Sequence, residues 1–135
     1  MNLIVCLDDR NGMTFCGKRQ SRDRVVCEKI TTLVADKVLW LNSYSAKLLD
    51  ANNHKICVSE DFLKISGVGE YCFVEDEDIT PYIDRIEEIT LFRWNRHYPA
   101  DNFFPISLLD GMKKVMIEEF TGNSHEKITM ELYAR

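Results

Sequence analysis

Ile128-Thr129-Met130-Glu131-Leu132-Tyr133 sets apolar side chains at 128, 130 and 132 against Thr129, Glu131 and Tyr133. Successive side chains of a strand point to opposite faces, so this spacing predicts a strand with one buried face. Residues 114–120 form a second run, and Thr121-Gly122-Asn123-Ser124-His125 between the two is rich in turn-forming residues. The pair is expected to close a sheet as an antiparallel hairpin.

At the other end of the chain, Met1-Asn2-Leu3-Ile4-Val5-Cys6-Leu7 is apolar and β-branched without alternation, the pattern of a strand buried on both faces. Asn11-Gly12 marks a turn, and Ser21 is the expected cap of a helix over residues 22–34, with Val25, Val26, Ile30 and Leu33 at helical spacing. Lys37-Val38-Leu39-Trp40-Leu41 reads as a strand, and Asn42-Ser43-Tyr44-Ser45 as the cap of a short helix through Leu48 and Leu49. Lys55-Ile56-Cys57-Val58 and Glu70-Tyr71-Cys72-Phe73-Val74 are further strands, with Gly67-Val68-Gly69 turning between them. Thr80-Pro81-Tyr82 opens another helix, and Ile89-Thr90-Leu91-Phe92-Arg93-Trp94 is a strand. Strands alternating with helices predict a mostly parallel α/β sheet in a single domain over residues 1–135.

Composition narrows the function. With 135 residues, 45% of them hydrophobic, the chain suits one domain with a real core. It holds no run of roughly 18 apolar residues of the kind a membrane span needs, and a cytoplasmic location is expected. Its five cysteines include no Cys-x-x-Cys pair, which argues against a disulfide framework and a zinc knuckle. A net charge of -5 lowers the expectation of nonspecific nucleic-acid binding by the whole surface. His54, His97 and His125 are scattered and match no metal-ligand spacing, so no metal is expected. P-loop and Gly-x-Gly-x-x-Gly motifs are absent.

Several stretches carry chemistry. Glu75-Asp76-Glu77-Asp78 puts four consecutive carboxylates directly after an apolar strand, either as a solvated helix entrance or as ligands for a hard cation. Residues Asn42, Ser43, Tyr44 and Ser45 either hold an anion at a helix start or only cap that helix. Lys18-Arg19-Gln20-Ser21-Arg22-Asp23-Arg24 has four cations in seven residues and faces either solvent, a phosphate or RNA, although it lacks the aromatics that stack on single strands. Trp94 and Tyr98 in Arg93-Trp94-Asn95-Arg96-His97-Tyr98-Pro99 either stack on a flat ligand or pack at a strand end. Combined with Arg19, Arg22 and Asp23, they would form a polar, aromatic cleft at one end of the sheet.

These pieces together resemble the dihydrofolate reductase family. Asp9-Arg10-Asn11-Gly12-Met13 after the first strand is similar to that family's mobile loop. Val38-Leu39-Trp40-Leu41-Asn42-Ser43-Tyr44-Ser45 is similar to the strand leading into its phosphate-facing helix. Glu88-Ile89-Thr90-Leu91-Phe92 with Ala100-Asp101-Asn102-Phe103-Phe104-Pro105 resembles its late strand and Phe-Pro segment, and Asn123-Ser124-His125 with Glu131 resembles its final hairpin. The resemblance implies a three-layer fold and places Asp23 where the family's pterin-binding acid would stand, with Arg19 and Phe92 at the nearest matching positions in place of the tryptophan and hydroxyl that accompany that acid. A carboxylate at this point grips a paired N–H group through two hydrogen bonds, or merely starts a helix.

The chain also departs from the family. The span from Val58 to Tyr71 is too short for the elements that hold the adenosine of NADPH, and Glu75-Asp76 stands where the family has the glycine pair that its cofactor phosphates approach. The resemblance therefore implies a small-ligand-binding or regulatory protein without standard NADPH-dependent reductase activity and with no resident cofactor. One alternative is a reductase of a pterin-like substrate with altered NADPH binding, using Asp23 and the cap at 42–45. Another is an RNA-binding accessory protein working through residues 18–24. Arg19, Arg22, Asn42, Ser43, Tyr44, Ser45, Phe92 and Trp94 are the candidate ligand contacts, and Asp23 is the candidate catalytic group. The partner expected is a small molecule, with no membrane.

Overall fold

Strand β1 (Asn2–Leu7) divides its side chains between two cores. Leu3, Val5 and Leu7 join one cluster with Phe62, Ile79, Ile89 and Leu91, while Ile4 joins another with Val26, Ile30, Phe73 and Phe92. A strand that buries both faces belongs at the centre of a sheet covered on both sides. The computed structural model describes residues 1–49 and 55–135 and puts β1 in that place. His54 lies outside the described residues.

The other strands are β2 (Gly12–Phe15), β3 (Lys18–Arg19), β4 (Leu39–Leu41), β5 (Ile56–Val58), β6 (Tyr71–Phe73), β7 (Glu88–Arg93), β8 (Asn102–Phe103), β9 (Lys113–Phe120) and β10 (Ile128–Ala134). Among the described residues, seven of the ten strands make the main sheet in the order β5-β4-β6-β1-β7-β10-β9. From β5 to β7 every pairing is parallel, and β10 runs antiparallel to both β7 and β9. The mostly parallel sheet with an antiparallel terminal hairpin is thus present. Strands β3, β2 and β8 form a separate small antiparallel sheet.

Helix α1 (Arg24–Val34) buries Val26, Ile30 and Val34 against one face of the main sheet. Its cap is Asp23 rather than Ser21, because the Asp23 carboxylate accepts from the Val25 N–H at 2.9 Å. The helix consequently starts at 24. Helix α2 (Ser43–Ala46) is capped by Asn42, whose side chain accepts from Ser45 N–H, and it ends before Leu48. Helix α3 (Phe62–Ile65) and the 3₁₀ segment Thr80–Arg85 lie over the opposite face. Ile79 and Ile86 are both buried and pin that segment at its ends, and the faster rise of a 3₁₀ helix spans the distance between them. No strand follows β5 at its edge among the described residues, and the four-residue α3 is the only helix there between Val58 and Tyr71.

Among the described residues, no helix is long and apolar enough to cross a membrane. The main sheet positions the site: Asn42, Glu75 and Trp94 all follow the carboxyl ends of parallel strands, at the edge where open α/β sheets bind ligands.

Candidate functional site

The acidic run turns inward at Glu75 and, in part, at Glu77, while Asp76 and Asp78 are exposed. Glu75 is buried and accepts from Arg19 Nε at 2.8 Å, from Arg19 Nη2 at 2.8 Å and from Ser45 Oγ at 2.7 Å. A planar guanidinium and a carboxylate match in this two-bond geometry, which fixes orientation as well as charge. Arg19 lies 4.3 Å from the centroid of the Tyr44 ring, and its backbone N–H donates to the Tyr44 hydroxyl at 3.1 Å. The hydrogen bonds that Arg19 donates to Glu75 hold its guanidinium even more firmly protonated than usual.

Its neighbours are engaged as well. Asp76 accepts from Thr14 Oγ1 at 2.6 Å, Glu77 accepts from Asn42 Nδ2, and Asp78 accepts from the Thr80 N–H at 3.0 Å. The backbone N–H of Ser43 donates to Glu60 at 3.0 Å. The donors at Asn42, Ser43 and Ser45, which the sequence offers to an anion, are therefore taken by Glu77, Glu60 and Glu75 of the same chain. No cluster of three or more histidine, cysteine, aspartate or glutamate side chains suited to a metal exists among the described residues.

A narrow cavity opens beside this network. Its walls include Cys6, Arg19, Gln20, Ser21, Cys27 and Trp94, and its volume is about 20 Å³, room for roughly one water molecule. Gln20 donates from Nε2 to Asp8 at 2.9 Å, while its Oε1 is buried and has no partner among the described residues. Burial pushes the Cys6 thiol well above its ordinary pKa and raises that of Cys27, so both stay protonated at neutral pH. An outer cleft of about 370 Å³ shares Arg22, Asp23, Cys27 and Leu48 with the inner one and adds Arg24, Asn123 and Ser124.

Asp23 sits between helix α1 and the β9–β10 turn. Besides capping the helix, its carboxylate accepts from the N–H groups of Asn123 at 3.0 Å and Ser124 at 2.9 Å, and it lies 2.9 Å from His125 Nδ1. Burial alone would raise its pKa, but these bonds outweigh it and hold the carboxyl well below the usual carboxylate range. The side chain is 0% exposed. Its lone pairs are spent inside the protein.

His125 is buried too, its ring stacked on Trp94 at 4.6 Å between centroids with 22° between planes. Nε2 stands 3.0 Å from Ser21 Oγ and 3.1 Å from the Tyr98 hydroxyl. In the tautomer whose Nδ1–H donates a hydrogen bond to the Asp23 carboxylate, Nε2 carries a lone pair, and two hydroxyls face it.

The structure thus brings Arg19, Tyr44 and Ser45 together around Glu75, and Asp23 and Trp94 together around His125. Arg22 is exposed at the rim. Phe92 lies apart, fully buried and edge-on to Phe120 with centroids 6.4 Å apart. Of the basic stretch, Arg19 is paired with Glu75 and Arg24 lies 3.7 Å from Glu28, which leaves Lys18 and Arg22 as its exposed cations without an ion pair among the described residues. His125 and Gln20 are the residues that sequence reasoning passed over. Nothing beside His125 in the chain signals its role, because its partners Ser21 and Asp23 are 104 and 102 positions away.

Neither a family model nor a curated protein sequence matches the chain. Among solved structures, the chain is similar to the dihydrofolate reductase from Enterococcus faecalis, whose structure holds NADP(H) and RAB-propyl. The TM-score is 0.69 at 13% identity, over 99% of this chain and 95% of that one. The fold is dihydrofolate reductase-like, in a strongly diverged sequence.

Proposed function

We propose that this domain binds a small ligand, as a binding or regulatory protein, and does not use NADPH in the manner of dihydrofolate reductases. The observation that carries the reading is the occupation of the anion-facing donors by Glu60, Glu75 and Glu77. The family resemblance puts cofactor phosphates at this end of the sheet. A phosphate oxygen about 4 Å from Glu75 meets a repulsion of at most about 1 kcal/mol in water, because the paired Arg19 charge offsets part of it, and finds the donors already engaged. Displacing Glu75 instead would break its paired bonds to Arg19. The space left for a small ligand is the outer cleft of about 370 Å³, where Arg22, Arg24, Asn123 and Ser124 supply polar groups.

Titration with NADPH, followed through Trp40 and Trp94 emission, tests this reading. No saturable change is expected up to millimolar NADPH for the protein itself, with weak binding gained on Glu75→Gln. Micromolar binding by the unaltered protein would overturn the proposal and favour the alternative, a reductase with a rearranged cofactor mode. The likeness to a reductase solved with NADP(H) is what supports that alternative.

A further inference from the structure

We propose that Ser21, His125 and Asp23 act as nucleophile, general base and positioning acid in acyl transfer from small carboxylic esters. This goes beyond the binding role above and does not depend on it.

The geometry has the three parts that such chemistry needs. A serine hydroxyl is a weak nucleophile at neutral pH unless a base takes its proton as it attacks, which requires the base within about 2.6–3.2 Å and fixed by a third group. Ser21 Oγ lies 3.0 Å from His125 Nε2, and Asp23 Oδ2 lies 2.9 Å from His125 Nδ1. Asp23 is itself held by the N–H groups of Val25, Asn123 and Ser124, so the imidazole has a rigid anchor. The Trp94 ring stacked on His125 at 4.6 Å blocks rotation of the imidazole out of line.

The second hydroxyl at Nε2 determines which oxygen is activated. Tyr98 lies 3.1 Å from Nε2 and 3.3 Å from Ser21 Oγ. One lone pair accepts one proton, and with the Tyr98 hydroxyl donating to Ser21 Oγ, Ser21 is the hydroxyl left to donate to His125. Ser21 is half-buried on the wall of the inner cavity, and Arg22, the next residue, lines both the inner and the outer cleft. The inner cavity of about 20 Å³ leaves no room for a bulky group, so the ester carbonyl meets Ser21 where the two spaces adjoin and the acyl chain extends into the outer cleft of about 370 Å³, with Arg22, which lines both, the cation available to the developing oxyanion. Cys6 and Cys27 share the inner wall, but burial keeps them protonated and they do not compete as nucleophiles.

In the reaction Ser21 Oγ bonds to the ester carbonyl carbon as its proton passes to His125 Nε2. The carbon–oxygen bond to the alcohol then breaks and the alcohol leaves with that proton. Water repeats the sequence, giving its proton to Nε2 and releasing the carboxylic acid and free Ser21.

The experiment treats the folded protein with diisopropyl fluorophosphate and maps the adduct by peptide mass spectrometry, alongside hydrolysis of p-nitrophenyl acetate. The expected result is a single adduct on Ser21 with measurable ester turnover. Turnover should vanish in Ser21→Ala and fall 10²- to 10⁴-fold in His125→Gln, the range for removing a general base. In case His125→Gln loosens the fold, Ser21→Cys provides a second test, because a thiol beside His125 is expected to alkylate with iodoacetamide at least tenfold faster than Cys16. An adduct on Tyr98, no adduct on Ser21 in protein shown folded by circular dichroism, or a Ser21→Cys thiol no faster than Cys16 would each overturn the proposal.

Discussion

Replacing Asp23 with asparagine tests the junction of helix and hairpin while keeping its shape. In the native protein one carboxylate oxygen accepts from Val25 and Asn123, and the other faces the Ser124 N–H and His125 Nδ1. An asparagine whose carbonyl keeps the first pair turns its NH₂ toward the second. His125 can answer by moving its proton to Nε2, but the Ser124 N–H cannot and is left without an acceptor. A buried donor left unpaired costs about 1–3 kcal/mol, and hydrogen bonds to a charged acceptor are worth about 1.5–3 kcal/mol, more than neutral ones. The expected loss is about 3 kcal/mol. Unfolding entropy of about 2.1 cal/mol/K per residue over 135 residues converts this to a fall of about 10 °C in Tm. Urea unfolding followed by far-ultraviolet circular dichroism measures it, with the exposed Asp9→Asn as a control expected within about 0.5 kcal/mol of the parent. The pH dependence follows from the same contacts. A carboxyl whose folded pKa lies below its unfolded value, about 3.9, stabilises the protein above that pH and stops doing so as pH falls through it toward the folded value. The parent should therefore lose stability below about pH 4 more steeply than Asp23→Asn does. A loss under about 1 kcal/mol, or parallel acid limbs in the two proteins, would refute this account of the junction.

Two further outcomes follow from packing and burial. Gly122→Ala directs a methyl group at the Asp23 carboxylate and to within 2.7 Å of Ile128 Cδ1, so it should destabilise by about 1–3 kcal/mol, read by the same urea titration. In thiol labelling with a disulfide reagent, the exposed Cys16 should react at once, whereas Cys72, buried and with its thiol raised to about 11 by burial, should react only on unfolding.

The elements legible in the sequence were those whose own side chains carry a period. Ile128, Met130 and Leu132 alternate with polar neighbours, and Val26 and Ile30 lie one helical turn apart, so hairpin and helix could be read locally. Strand β3 has two residues and β8 has two, too few for any period, and the small sheet they form with β2 shows itself only through pairing. Ser21 looked like a helix cap because a hydroxyl before an apolar run usually is one. Asp23, two residues later, was the stronger acceptor and took that place, which released Ser21 to face His125. The acidic run was legible as charge, but not as a set of internal acceptors, since its donors Arg19, Asn42 and Ser45 are 30 or more positions away.

The Asp23 junction also bears on how the chain reaches its fold. It joins a helix cap to a turn about a hundred residues later, and central strand β7 waits for β10 on one side while it pairs with β1 on the other. Contacts so distant in sequence require a large loop to close before they return any stabilisation, which places folding in the slow part of the range for small domains, milliseconds to seconds. Until the last strand docks, β7 is an open apolar edge. The interval before docking is therefore when this protein is most exposed to aggregation.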